Sequence, residues 1–153
     1  MALAHRPRIL LLDEPTDGLD PVLRDRVCTL LAEHLADSPA TVVVSTHRLY
    51  ELDGLIDHVG VLRSGRVVTR VAADDLRGSL RRYRLRLEEA RVAEEVLNGA
   101  ILTRRLTGQE AAWTVWGEHA QVIATLREAG ASVSEVEALT LDEAALEILK
   151  MEA

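Results

Sequence analysis

Apolar positions follow two different rhythms along this chain, continuous runs in the first half and alternation in the second. Residues 8 to 13 (RILLLD) are a continuous apolar run ending in a carboxylate, which predicts a strand covered on both faces, as in a parallel sheet. Asp20-Pro21 reads as a helix start, with Asp20 as N-cap and Pro21 at the first helical position. Val22, Leu23, Val27, Leu30, Leu31 and Leu35 carry that helix to about Ala36. Residues 40 to 45 (ATVVVS) predict a second buried strand, and Thr46 is placed as the cap of a short helix reaching Leu52. Residues 57 to 71 read as two strands joined by a hairpin turn at Ser64-Gly65. A strand–helix–strand–helix order with such strands argues for an α/β sheet.

From about residue 81 the period changes to two. Tyr83, Leu85 and Leu87 alternate with Arg84, Arg86 and Glu88, the mark of a half-buried strand. A helix over 90 to 97 stops at Asn98-Gly99. Strands at 100 to 106 and 111 to 116 flank Thr107-Gly108-Gln109, a helix covers 118 to 129, and a strand covers 131 to 137. The last helix opens on Thr140-Leu-Asp-Glu143, a capping-box pattern. Strand–helix–strand–strand–helix–strand is the order of a ferredoxin-like unit. The boundary between the halves falls within 72 to 82, drawn after Leu76, so that 1–76 and 77–153 are the expected domains. The fold class is therefore an α/β sheet followed by a small α+β module.

Composition narrows the function. With 48% apolar and 28% charged residues, the 153-residue chain has the balance of a soluble globular protein. A net charge of −7 argues against a nucleic-acid partner, which selects a basic surface. The apolar runs fall far short of the roughly 20 residues that cross a bilayer. No secretory leader is expected, because acidic Asp13-Glu14 follows one short run. Cys28 is the sole cysteine and lies on the apolar face of the first helix, where packing explains it. The expected compartment is the cytoplasm. Seventeen of the eighteen basic residues are Arg, and Lys150 is the single Lys.

The chemistry is concentrated at Asp13 and Glu14, two carboxylates at the C-terminal tip of a buried strand, the edge where open α/β sheets bind ligands. A strand-tip Asp suits Mg²⁺, which takes hard oxygen ligands and keeps several waters. A neighbouring Glu could orient or deprotonate an attacking water, an effect worth roughly 10²–10⁴-fold. Acidic residues also mark where strands emerge into solvent, and Asp20 is explained as a plain N-cap. His5, His34, His58 and His119 lack partners at ligand spacing and read as structural or solvated. Trp113 and Trp116 fall on opposite faces of one strand and suit packing, while the basic run from Arg81 to Arg86 reads as a solvated strand face.

The string LLLDEPTDGLDP, with VVVSTH some twenty-five residues later, closely resembles the second half of an ABC-type ATPase domain. The resemblance implies a RecA-like, P-loop NTPase sheet for 1–76. It makes Asp13 the Walker B aspartate, holding Mg²⁺ through water, and Glu14 the catalytic glutamate. Gly18-Leu19-Asp20 matches the D-loop that reaches across a dimer of ATPase domains, which places Gly18 and Asp20 at bound nucleotide. His47 matches the switch histidine that contacts the γ-phosphate. Ala2 to Pro7 is similar to the stretch after the family's signature helix. The implied cofactors are ATP and Mg²⁺, and the implied partners are a second ATPase subunit and a transmembrane permease. The implied location is the cytoplasmic face of the membrane. Residues 77–153 resemble the accessory module of bacterial exporter ATPases, closing on LTLDEAALEIL without the Phe of the family's ending.

No GxxxxGK[ST] loop occurs, nor the glutamine loop or LSGGQ signature that precede these motifs in the family. The expectation is therefore an N-terminally truncated energy-coupling subunit, whether by an internal start in the gene model or by a genuine truncation. Two alternatives stand beside it: a non-enzymatic protein acting through its C-terminal module, and one half of a split ATPase. By the same resemblance, the strand leading into the phosphate loop would lie between residues 40 to 45 and 57 to 63. That loop's backbone N–H groups and Lys carry most of the triphosphate's charge. These 153 residues by themselves are therefore expected to show no heat of Mg-ATP binding at millimolar nucleotide in isothermal titration. Micromolar binding would refute this.

Overall fold

The structure is a computed structural model and describes residues 2–86, 95, 97 and 99–151. The expected helix over 90 to 97 and its Asn98 cap lie outside these residues, apart from 95 and 97. The chain forms two compact units, Met1–Ile56 and Asp57–Ala153.

In the first unit, β1 (Ile9–Asp13) and β2 (Thr41–Ser45) pair in parallel, from Ile9 opposite Thr41 to Asp13 opposite Ser45. Helix α1 (Pro21–Asp37) connects them, and its start follows the sequence reading. Asp20 accepts the N–H groups of Val22 and Leu23, each at 2.9 Å, and so satisfies two donors that a helix start leaves orphaned. Val27, Cys28 and Leu31 of α1 join Leu10, Leu12, Val42, Val44 and Leu52 in one core. The opposite face is bare: Ile9 is 68% and Leu11 73% exposed, and Val43 is exposed beside them. The expectation of strands covered on both faces is corrected. Alternate residues point to opposite faces, and α1 packs on the Leu10 and Leu12 face alone. Val22 and Leu23, read as part of the helix's apolar stripe, are exposed in its first turn; the packed stripe begins at Val27. Thr46 does not cap an α-helix either. A single 3₁₀ turn (Leu49–Leu52) follows, and the Thr46 hydroxyl accepts the N–H of Arg48 at 3.0 Å.

The second unit opens with the antiparallel hairpin β3 (His58–Arg63) and β4 (Arg66–Ala72). Ser64 and Gly65 both have positive φ, 49° and 77°, as the expected two-residue turn requires. Helix α2 (Ala73–Ser79) was not anticipated; it is short, and no side chain caps its Ala72 start. Strands β5 (Leu80–Arg86), β6 (Ile101–Thr107), β7 (Glu110–Trp116) and β8 (Val133–Ala138) form an antiparallel sheet in the order β6-β7-β5-β8. Tyr83, Leu85, Trp113 and Val115 pack there with Val122 and Leu126 of α3 (His119–Glu128). The basic face of β5 is less solvated than expected. Arg82 pairs with Glu137 at 2.8 Å and Arg84 with Glu135 at 3.1 Å, because β8 lies beside β5 in register.

Helix α4 (Leu141–Lys150) starts on the complete capping box of Thr140 and Glu143. Its Glu147 is buried, 2% exposed, among Thr103, Arg105 and Lys150. Burial pushes this carboxyl up, yet the Thr103 hydroxyl and the two cations hold it below the usual carboxylate range. An isolated cost is thereby avoided, since a buried charge without partners is among the most destabilising features a core can contain.

A two-stranded sheet with one bare face is marginal, whereas the four-stranded sheet carries its own core. Hydrogen exchange on the purified chain should therefore show its strongest protection in β5, β7 and α3. Equal or stronger protection of residues 41 to 45 in a monomer would contradict this.

Candidate functional site

Parallel pairing brings the ends of β1 and β2 together, so Asp13 stands opposite Ser45. The Ser45 hydroxyl donates to Asp13 Oδ1. At the next residue the chain turns sharply. Glu14 has φ of 43°, in the left-handed region, which costs a non-glycine residue roughly 1–3 kcal/mol. Two backbone bonds hold it there: its N–H donates to Ser45 O at 2.9 Å, and its carbonyl accepts the N–H of Asp17 at 3.1 Å.

The turn aims the Glu14 carboxylate at the residues following β2. Thr46 Oγ1 donates to Glu14 Oε2 at 3.0 Å, and His47 Nδ1 lies 2.8 Å from Glu14 Oε1. The His47 hydrogen bond holds the Glu14 carboxyl below its ordinary range; partial burial opposes this and the Thr46 hydroxyl adds to it. Glu14 keeps 35% of its side chain exposed, so the oriented carboxylate stays open to water. Arg48 closes the group, donating Nε–H to His47 Nε2 at 3.4 Å and pairing with Asp17 through Nη2.

Of the residues singled out by sequence, Asp13, Glu14 and His47 meet at the strand tips. Gly18 and Asp20 sit farther along the β1–α1 loop. Gly18 takes φ of 70°, and Asp20 Oδ1 is engaged in the α1 cap. Sequence reasoning missed three members of the group. Ser45 and Thr46 are the hydroxyls that orient the two carboxylates, and Arg48 borders His47. The S-T-H string held the first two, but their targets became visible only with the register of β1 against β2.

The donor set suits a hard cation held by few protein ligands. Asp13 is exposed and keeps one carboxylate oxygen beyond the Ser45 bond, consistent with Mg²⁺ coordination completed by waters and substrate. Among the described residues no cluster of three or more His, Cys, Asp or Glu encloses a metal by itself. Far along the chain, a cavity of about 520 Å³ between α3 and β8 is lined by His119, Ile123, Arg127 and Val133 and contains none of the site residues.

No protein-family model matches the chain. Curated relatives do. Over 82 residues it is 37% identical to the bacitracin transport ATP-binding protein BcrA of Bacillus licheniformis, covering 54% of this chain and 27% of that protein. Over 91 residues it is 40% identical to the daunorubicin/doxorubicin resistance ATP-binding protein DrrA of Streptomyces peucetius, covering 58% and 27%. The methionine import ATP-binding protein MetN of Carboxydothermus hydrogenoformans is 39% identical over 75 residues, covering 49% and 22%. The chain thus spans about a quarter of the length of these relatives.

Because the folded pKa of Glu14 is depressed, its pairing contributes stability above the ordinary value of 4.5 and loses it as pH falls through the folded value. A carbon-13 titration of the Glu14 carboxyl should give a midpoint below 4.5 in the folded chain, and His47→Ala should raise it. A midpoint unmoved by His47→Ala would show that the imidazole does not hold the carboxylate.

Proposed function

The chain belongs to the ATP-binding proteins of ABC transporters, and from that premise we propose that it carries the hydrolytic half-site of an ATP-hydrolysing transport subunit. The observation that carries this reading is the Glu14 carboxylate, turned out of the β1 tip by a left-handed backbone and clamped by Thr46 and His47.

In this reading Glu14 is the catalytic base. It accepts hydrogen bonds on both oxygens and stays partly exposed, so a water can sit against it. The carboxylate is ionised at neutral pH and can orient that water and take its proton, although the hydrogen bonds that lower its pKa also make it a weaker base. His47 is held at Nδ1 by Glu14; its Nε2, which accepts Arg48 Nε–H in the nucleotide-free chain, would exchange that contact for the γ-phosphate and carry a proton when nucleotide binds. Asp13, oriented by Ser45, would hold Mg²⁺, which would supply charge neutralisation at the phosphate oxygens. Gly18 and Asp20 lie on the loop that would approach nucleotide across a pair of such subunits. The remaining phosphate contacts come from a GxxxxGK[ST] segment outside these 153 residues.

The partners in this reading are a second ATPase subunit and a transmembrane permease, at the cytoplasmic face of the membrane. No described helix is long and apolar enough to cross a bilayer. Residues 1–76 are assigned to the ATPase domain and 77–153 to an accessory module of ferredoxin-like type. Support for that type comes from the order β6-β7-β5-β8, the antiparallel pairing of every neighbour, and α3 between β7 and β8. An exporter is favoured by that module with its LTLDEAALEIL ending and by the drug-resistance and bacitracin relatives. The alternative in which the module acts alone, by binding or dimerisation, draws on the separate core of the second unit.

The test is a chimera in which this chain replaces the matching part of the daunorubicin/doxorubicin resistance protein. Glu14→Gln keeps the shape and removes the base, so ATP turnover should fall by about 10²–10⁴-fold with ATP affinity nearly unchanged. His47→Ala should also slow turnover. Hydrolysis by Glu14→Gln within a few-fold of the parent chimera would remove Glu14 from the role of base.

A further inference from the structure

Within the first unit one buried carboxylate is used by neither the strand tips nor the apolar core. The Glu51 side chain is 1% exposed in the 3₁₀ turn after β2. Its Oε1 receives three donors: Arg24 Nη1 at 3.0 Å, Arg48 Nη1 at 3.1 Å and the Tyr50 hydroxyl at 3.2 Å. Both guanidiniums continue outward. Arg24 Nη2 donates to the carbonyl of Leu19 at 3.3 Å, in the loop between β1 and α1. Arg48 pairs with Asp17 in the same loop and donates Nε–H to His47 Nε2.

We propose that Glu51 is a positioning residue for the candidate site, holding the 17–19 loop through Arg24 and Arg48 and orienting His47 through Arg48. A buried carboxylate that anchors two cations is costly to loosen, because removing it takes this counter-charge from Arg24 and leaves Arg48 with Asp17 alone. The consequence at His47 is chemical as well as steric. With Arg48 Nε–H donating to Nε2, that nitrogen must offer its lone pair. The ring proton of the neutral imidazole then lies on Nδ1, where it is donated to Glu14 Oε1. Free histidine favours the opposite tautomer, so the arrangement has a signature of its own. The effect of Glu51 on turnover rests on the ATPase reading above; its hold on His47 and the loop does not.

Nuclear magnetic resonance on the nucleotide-free 153-residue chain separates these links. At a fixed alkaline pH, ring nitrogen shifts of His47 should report the Nδ1–H tautomer in the parent. Arg48→Gln should move them most of the way toward the free-histidine pattern. Arg24→Gln should leave them in place and speed amide exchange at Leu19. Glu51→Gln should do both, while the methyl signals of Leu10 and Leu31 stay where they are. A folded Glu51→Gln with unchanged His47 shifts and unchanged Leu19 exchange would overturn the proposal. Should Glu51→Gln unfold the first unit, Arg48→Gln decides, since Arg48 is partly exposed: shifted His47 nitrogens support the proposal, and unshifted ones refute it. None of these readouts involves ATP, so loss of Glu14 as the base would leave them standing, and their failure would leave the ATPase reading intact.

Discussion

Parallel pairing of β1 with β2 sets Asp13 beside Ser45, and everything chemical in the first unit follows from that adjacency. Two strands separated by a seventeen-residue helix end at the same level, so their exit loops share one small volume. Glu14 then needs only a single left-handed residue to reach across to Thr46 and His47. A register slip of one residue would turn Asp13 to the opposite face. The ladder in this small sheet is thus less a source of stability than a ruler that places two carboxylates and an imidazole.

The same economy leaves the sheet exposed. One helix covers one face, and Ile9, Leu11 and Val43 present an apolar surface on the other. Such a surface belongs to a layer that expects a neighbour. The polar side is handled in the opposite way. Hydroxyls, two arginines and Glu51 surround the strand tips so thoroughly that most charged groups there find a partner. Electrostatics holds the loops where hydrophobic burial is thin.

The second unit solves its charge problem by cross-strand pairing. Arg82 and Arg84 on β5 meet Glu137 and Glu135 on β8, and Glu147 is enclosed by cations and a hydroxyl. Its core of Tyr83, Leu85, Trp113 and Leu126 does not draw on the strand-tip chemistry. Each unit therefore has a distinct basis for its order.

The primary sequence by itself determined the strands and helices whose signals are local. Asp20-Pro21 specifies the start of α1, Ser64-Gly65 the hairpin, and Thr140 with Glu143 the start of α4, because a cap or a tight turn is decided by a few neighbouring residues. It also marked Asp13, Glu14 and His47 through their surrounding motifs. Tertiary structure alone decided the rest. The continuous apolar run of β1 could not say that one face would stay bare, since cover depends on what packs there. Nothing local reveals that Thr46 would serve Glu14 rather than a helix, or that the arginines of β5 would face acids fifty residues away. Nothing in the sequence around Glu51 sets it apart from a surface glutamate. Its burial and its grip on Arg24 and Arg48 arise because α1, the β1 exit loop and the turn after β2 converge on one point, and convergence of that kind is a property of packed elements.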